Sequence, residues 1–144
     1  ALRINGTFDD CQDLVKQAFI QRDFLKPDQY LLAVNSINWT RIVGQICYYF
    51  YAYNRLANYQ NLNFSIPTGN FGNVFACYSA FKMGLPIKTI SVAVNDNDIL
   101  HRFFASNDYS KKQVHETISP SMDISVASNF ERLVYDFFLI EGSK

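Results

Sequence analysis

A stretch in the middle of the chain, which reads as strand, glycine-rich turn, helix and strand, most constrains the fold. Residues 63–66 have a strand-like composition, and residues 74–83 have the composition of a helix. Residues 67–73 lie between them, Gly84 ends the helix, and β-branched residues 87–94 indicate the next strand. Two strands that are connected by a helix lie parallel to each other, because the crossover returns the chain to the same end of the sheet. The sequence therefore predicts a β-α-β unit with a glycine-rich turn after its first strand.

The remaining segments continue this alternation along the 144 residues. Two further short apolar runs predict strands, at residues 2–4 and 30–34. Thr7 followed by Asp10 predicts a capped helix start. Three more helices are predicted, over residues 39–58, 98–105 and 130–139. The order β-α-β-α-β-α-β-α, whose last helical region contains both 98–105 and 130–139, predicts an α/β fold, a parallel sheet with helices on both faces. Polar residues 107–128 predict a long loop, and the tyrosines of helix 39–58 predict burial on several sides.

Composition argues against several classes of partner. Acidic and basic residues balance at 13 each, which is weak support against nucleic-acid binding. No apolar run reaches the roughly 18 residues of a membrane span. Cys11, Cys47 and Cys77 are odd in number and far apart, and His101 and His115 show no metal-ligand spacing with them. We therefore expect reduced thiols in a cytoplasmic protein, with no metal site and no disulfide framework.

The glycine-rich turn is the first candidate site. It consists of Gly69, Asn70, Phe71, Gly72 and Asn73. Glycine allows close approach of the backbone, and a helix start offers unpaired N–H groups at the positive end of the dipole. This arrangement suits a phosphate. An ordinary tight turn needs glycines too, so the residues alone leave both interpretations open.

A second candidate site follows the predicted strand 30–34. Asn35 and Ser36 supply neutral donors at the strand end, and Arg41 supplies a guanidinium one helical turn later. Ligands of open parallel sheets bind at such strand ends, and the guanidinium fork suits an anion. The residues alone favour the alternative, in which Asn35 and Ser36 cap the helix and Arg41 lies on the surface.

Five ordered motifs together resemble the threonine synthase family. They are Gly-Thr-Phe-Asp-Asp-Cys-Gln at residues 6–12, Asn-Ser-Ile-Asn-Trp-x-Arg at 35–41, Pro-Thr-Gly-Asn-Phe-Gly-Asn at 67–73, Asn-Asp-Ile-Leu-His-Arg-Phe at 97–103 and Ser-Pro-Ser-Met-Asp-Ile at 119–124. The resemblance implies a pyridoxal phosphate enzyme of the tryptophan synthase β-like fold, fold type II. Such enzymes convert O-phospho-L-homoserine and water into L-threonine and phosphate.

The resemblance also implies roles for both candidate sites. Gly69 to Asn73 would hold the phosphate of pyridoxal 5′-phosphate, and Asn35, Ser36 and Arg41 would hold the substrate phosphate. Residues 1–37 would belong to a smaller α/β subdomain, and residues 38–144 to a larger cofactor-binding domain. The sequence does not give an oligomeric state.

No lysine of this chain matches the family's cofactor-linking lysine, which is expected upstream of the matched region. No catalytic residue is therefore assigned, and we expect an internal fragment of a longer protein that is inactive alone. Two alternatives remain: a noncatalytic binding or scaffold protein related to threonine synthase, and another fold type II lyase such as a serine or threonine dehydratase. The residues suited to a phosphorylated substrate argue against the dehydratase.

Overall fold

The structure is a computed structural model that describes residues 3–56 and 62–142. It consists of two compact units, the first ending at Ala33 and the second beginning at Val34. The assignment of residues 1–37 and 38–144 to two subdomains of a whole enzyme stays a prediction.

Helix α1, Phe8–Ile20, is the regular element of the first unit among the described residues, and it begins at the predicted cap. The Thr7 hydroxyl accepts a hydrogen bond from the Asp10 amide at 3.3 Å, and the Asp10 carboxylate accepts from the Thr7 amide at 2.7 Å. This reciprocal pair satisfies N–H groups that a helix start leaves open. The predicted strand at residues 2–4 is wrong for residues 3 and 4, which are irregular, and residue 2 lies outside the described residues.

The predicted buried strand at residues 30–34 is wrong. These residues have no regular structure, and Tyr30, Leu32 and Val34 are 77–88% exposed. Strand preference is a preference for a pleated, half-buried surface, so it needs a neighbouring strand. The described part of the chain offers this run no such neighbour.

The second unit is built on two parallel strands, β1 Leu62–Pro67 and β2 Ile87–Ala93. Helix α3, Gly72–Lys82, connects them, which confirms the predicted β-α-β unit. The strands end in register, with Pro67 opposite Ala93. Of the four predicted strands, the described residues contain these two. The fold class is confirmed as α/β with a parallel sheet.

Three further helices complete the second unit. They are α2 Trp39–Arg55, α4 Ile99–Ser106 and α5 Phe130–Gly142. The sequence predicts that α2 extends to residue 58. This prediction is wrong at residue 56, which forms a turn, and residues 57 and 58 lie outside the described residues. The predicted loop over residues 107–128 is confirmed and contains one 3₁₀ turn, Pro120–Met122.

The hydrophobic core of the second unit lies around α3. This helix packs on α2 and β2 and buries residues on several sides, among them Val74, Ala76, Cys77 and Ala80. The prediction that α2 is buried on several sides is wrong: Ile42, Ile46 and Tyr49 form one buried face, and Tyr48 and Tyr51 are each 63% exposed. A tyrosine ring can lie on apolar surface while its hydroxyl stays in water, so the tyrosine count overstates burial.

Candidate functional site

The glycine-rich turn continues β1 into α3 with its backbone held at both ends. The Thr68 amide donates to the Ala93 carbonyl at 2.8 Å, one residue beyond the end of β1. Phe71 adopts the left-handed conformation, with φ 64°, and α3 begins at the next residue without a side-chain cap. The first-turn N–H groups of α3 are thus not occupied by a capping side chain, as an anion site at a helix start requires.

Packing holds Phe71 in a conformation that non-glycine residues rarely adopt. Its side chain is 2% exposed. Its ring meets that of Phe130 edge to face, with 5.1 Å between centroids and 81° between planes. The first residue of α5 therefore fixes the turn from which α3 starts.

The two glycines mark places where other parts of the chain approach closely. A Cβ on Gly72 would lie 3.1 Å from Ser36 Cβ and 3.6 Å from Asn129 Nδ2. A Cβ on Gly69 would lie 3.0 Å from the backbone of Met122. The distances of 3.0 and 3.1 Å are tighter than ordinary carbon contacts, so a side chain at either position would have to push its neighbour away by a few tenths of an ångström.

The structure joins the two predicted sites through Ser36. Asn70 Nδ2 donates to Ser36 Oγ at 2.9 Å, and Asn70 Oδ1 accepts from the Ser128 hydroxyl. Asn129 Nδ2 also donates to Ser36 Oγ at 2.9 Å, and its backbone amide donates to the Asn70 carbonyl at 3.2 Å. Ser36 therefore lies beside the glycine-rich turn and does not cap α2, whose cap is Asn38.

The other two residues of the second site are placed differently. Asn35 Oδ1 accepts from the Ile37 amide at 3.1 Å, which forms the turn that carries Ser36. Arg41 is exposed in the first turn of α2. Among the described residues, no hydrogen bond links the Asn35 or Arg41 side chain to residues 69–73.

Tyr49 on α2 fixes the position of Asn73 by hydrogen bonds. The Tyr49 hydroxyl lies 2.7 Å from Asn73 Oδ1 and 3.0 Å from the Asn73 carbonyl, and donates to them. Burial raises the pKa of Tyr49 well above its usual 10.0. Burial also raises the pKa of Cys77 to about 12, although the Tyr49 hydroxyl partly opposes the change. Both groups stay neutral near pH 7, so neither places a negative charge behind the turn.

Ser128, Asn129 and Arg132 belong to this site and were missed by the sequence reasoning. Arg132 Nε donates to Asn129 Oδ1 at 2.9 Å, and Arg132 Nη2 donates to the Ile37 carbonyl at 2.9 Å. Ser128 and Asn129 precede a helix, where such residues usually serve as caps. A capping role therefore explains these residues in the sequence, and nothing in the sequence indicates that Ser128 contacts Asn70, 58 positions earlier.

A second polar cluster shapes the loop that leads to these residues. Asp123 accepts hydrogen bonds from the Thr117 amide and hydroxyl and from the side-chain amides of Asn95 and Asn97, at 2.7–3.1 Å. It ties the loop to the segment after β2. Within the described residues, no group of histidine, cysteine or carboxylate side chains could hold a metal ion.

A family model described as pyridoxal-phosphate dependent enzyme matches residues 2–141, nearly the whole chain. The chain belongs to this family. None of the described helices has both the length and the apolar character needed to cross a membrane.

Curated relatives of this pyridoxal phosphate family member support the resemblance seen in its motifs. The chain is 55% identical over 136 residues to threonine synthase of Pseudomonas aeruginosa and 49% identical over 140 residues to that of Corynebacterium glutamicum. Each match covers 94% of this chain and 29% of the relative. The chain thus spans less than a third of the length of these relatives.

Solved structures give the same result for the fold. The pyridoxal-phosphate-bound threonine synthase of Brucella melitensis matches with a TM-score of 0.76 and 50% identity, over 94% of this chain and 29% of that one. Threonine synthase of Escherichia coli matches with a TM-score of 0.85 and 40% identity, over 93% and 32%. These matches confirm the predicted fold type and the resemblance to threonine synthases.

Proposed function

We propose that this chain is the phosphate-binding part of a threonine synthase, which converts O-phospho-L-homoserine and water into L-threonine and phosphate. The observation that carries the proposal is the hydrogen bond between Asn70 and Ser36 at the start of α3. It joins the residues proposed for the cofactor phosphate to a residue proposed for the substrate phosphate. The identities of 49–55% to threonine synthases support the same activity.

The glycine-rich turn fits the phosphate of pyridoxal 5′-phosphate. A Cβ at Gly69 or Gly72 would be in tight contact with neighbouring atoms, and α3 starts uncapped after Phe71. Backbone N–H groups at a helix start favour a permanently bound phosphate without needing a cation. In this proposal Asn70 and Asn73 add side-chain donors. The cofactor, when bound, supplies the electron sink that replacement chemistry at an amino acid needs.

The substrate phosphate differs from the cofactor phosphate because it must leave the site as a dianion. Ser36 offers a neutral hydroxyl beside the turn, and Asn35 forms the bend that presents it. We assign Arg41 to the departing phosphate, since a guanidinium forms strong, charge-assisted hydrogen bonds with phosphate oxygens. Its exposure in the first turn of α2 leaves it accessible to a ligand.

A chimeric enzyme tests the proposal. This chain replaces the matching segment of the Pseudomonas aeruginosa threonine synthase, and release of phosphate from O-phospho-L-homoserine is measured. We expect turnover, and we expect Ser36→Ala to raise KM about tenfold, the effect of losing a hydrogen bond to a charged group. The matched control is Ser91→Ala, at an exposed position of β2, which should leave KM unchanged.

Two outcomes would contradict the proposal. A folded chimera that binds the cofactor but turns over no substrate favours the noncatalytic scaffold. A folded chimera that deaminates unphosphorylated serine or threonine favours a dehydratase, because such an enzyme has no use for a second phosphate site.

We also propose that the chain alone is inactive, because none of its lysines lies in a sequence context that matches the family's cofactor-linking lysine. These are Lys16, Lys26, Lys82, Lys88, Lys111, Lys112 and Lys144. After incubation with pyridoxal phosphate and borohydride, mass spectrometry should find scattered, substoichiometric labelling. Full labelling of one lysine would overturn this point. A cytoplasmic location and a small-molecule substrate remain parts of the proposal.

A further inference from the structure

The Ser36 hydroxyl receives two hydrogen bonds and gives none within the described residues. Its oxygen accepts from Asn70 Nδ2 and from Asn129 Nδ2, each at 2.9 Å. A hydroxyl oxygen has two acceptor lone pairs and one hydrogen. Both lone pairs are therefore occupied, and the hydrogen remains for a further acceptor.

Arg132 sets the direction of these hydrogen bonds. A guanidinium can only donate, so the Asn129 atom at 2.9 Å from Arg132 Nε must be the amide oxygen. The amide nitrogen of Asn129 then faces Ser36. We call this one-way series the donor relay; it comprises Arg132, Asn129 and Ser36. Its last member is the hydroxyl whose hydrogen is unused.

The surroundings hold the donor relay in one geometry. Asn129 is 1% exposed, which excludes competing water. Arg132 is fixed by its bond to the Ile37 carbonyl and by the Trp39 ring, whose centroid lies 5.8 Å from the guanidinium carbon. No carboxylate of the described residues forms an ion pair with Arg132. Its charge is thus free to polarise the hydrogen bonds that follow.

The donor relay ends beside the start of α3. A Cβ on Gly72 would lie 3.1 Å from Ser36 Cβ and 3.6 Å from Asn129 Nδ2. We propose that Asn129 and Arg132 are positioning residues, which direct the Ser36 hydrogen to the phosphate ester of a bound substrate without touching the substrate themselves. The inference rests on the proposed function, in which Ser36 contacts that phosphate.

Binding of inorganic phosphate to the 144-residue chain, followed by ³¹P NMR, tests the proposal. Ser36→Ala should weaken binding about tenfold, as expected for loss of a hydrogen bond to an anion. Asn129→Leu should weaken it several-fold in the original chain but less than about twofold in the Ser36→Ala background, because residues that act through one another are not additive. Equal losses in both backgrounds would overturn the proposal.

A spectroscopic signature separates positioning from general stabilisation. The side-chain amide signals of Asn129 should shift when phosphate is added, and the shift should vanish in Ser36→Ala. Asn63, exposed on β1, provides the control amide, whose signals should not move. Absence of a phosphate-induced shift at Asn129 while the chain is folded would overturn the proposal. Should Asn129→Leu fail to fold, Arg132→Lys keeps the charge, removes the Nε donor and should show the same dependence on Ser36.

The results also separate this inference from the proposed function. Coupling between Ser36 and Asn129, with no turnover by the chimeric enzyme, keeps the donor relay and rejects threonine synthase activity. Turnover by the chimera, with fully additive losses of phosphate binding, keeps the activity and rejects the donor relay.

Discussion

The hydroxyl of Tyr49 donates a hydrogen bond to the side-chain oxygen of Asn73 at 2.7 Å and so fastens the first turn of α3 to α2. Because this contact is partly buried, removing the donor leaves an acceptor without its partner. We expect Tyr49→Phe to lower the free energy of unfolding by about 1–2 kcal/mol. Urea denaturation measures the change.

Tyr48 offers a matched control on the same helix. It is 63% exposed, so Tyr48→Phe should change the free energy of unfolding by less than about 0.5 kcal/mol. Similar losses in both variants would show that the Tyr49 hydroxyl has no special role.

Gly72 and Gly44 should respond to alanine in opposite ways. A Cβ at Gly72 would press on Ser36, 3.1 Å away, so Gly72→Ala should destabilise the chain by about 1 kcal/mol and weaken phosphate binding. Gly44 lies in α2 with no atom near its missing Cβ. Gly44→Ala should raise stability by about 0.5–1 kcal/mol, since alanine favours helix. Urea denaturation and ³¹P NMR check both; unchanged phosphate binding by Gly72→Ala would contradict this account of the turn.

Asp123 should make the loop stable only while it is ionised. Burial would raise the pKa of Asp123, but hydrogen bonds from Thr117 and Asn95 outweigh burial and hold it below the usual 3.8. Its contribution is therefore present above pH 3.8 and is lost as the pH falls through the lowered pKa. Asp123→Asn should lower Tm by several degrees near pH 7 and reduce the further loss of Tm in acid.

Asp96 supplies the control for this prediction. It is exposed in the segment after β2 that Asp123 contacts, and Asp96→Asn should leave Tm near pH 7 nearly unchanged. An Asp123→Asn variant with the original acid profile would show that another carboxylate controls the loop.

The three cysteines should differ in reactivity. Cys11 and Cys47 are exposed and Cys77 is buried. Iodoacetamide should label the first two in the folded chain and reach Cys77 only after unfolding, as mass spectrometry of the labelled peptides can show. Labelling of Cys77 at the rate of Cys47 would mean that α3 opens readily.

The raised pKa of Cys77 also predicts a loss of stability in alkali. Between pH 9.0 and 12 the unfolded chain releases this proton while burial keeps it on the folded chain. The folded state then binds more protons, so stability falls as the pH rises through this range. Cys77→Ala should reduce the slope of the unfolding free energy against pH in this range. An unchanged slope would show that other groups cause the loss of stability.

The β-α-β unit could be predicted because its signals are local. An apolar run, two glycines and a helical segment lie within about thirty positions, and each reports the backbone conformation of its own residues. The same local reasoning failed for residues 30–34, since an apolar run becomes a strand only where another strand covers it. It failed also for the tyrosines of α2, whose exposure depends on which side meets α3.

The sequence by itself determined the glycine-rich turn between a strand and a helix and the family resemblance, because these depend on residue types in a fixed local order. Only the tertiary structure decided which side chains surround that turn. Asn129 meets Ser36 across 93 positions, and no periodicity or motif spacing specifies such a contact. The packing of Phe130 on Phe71 brings the start of α5 to the turn, and a one-way series of hydrogen bonds then directs the Ser36 hydroxyl.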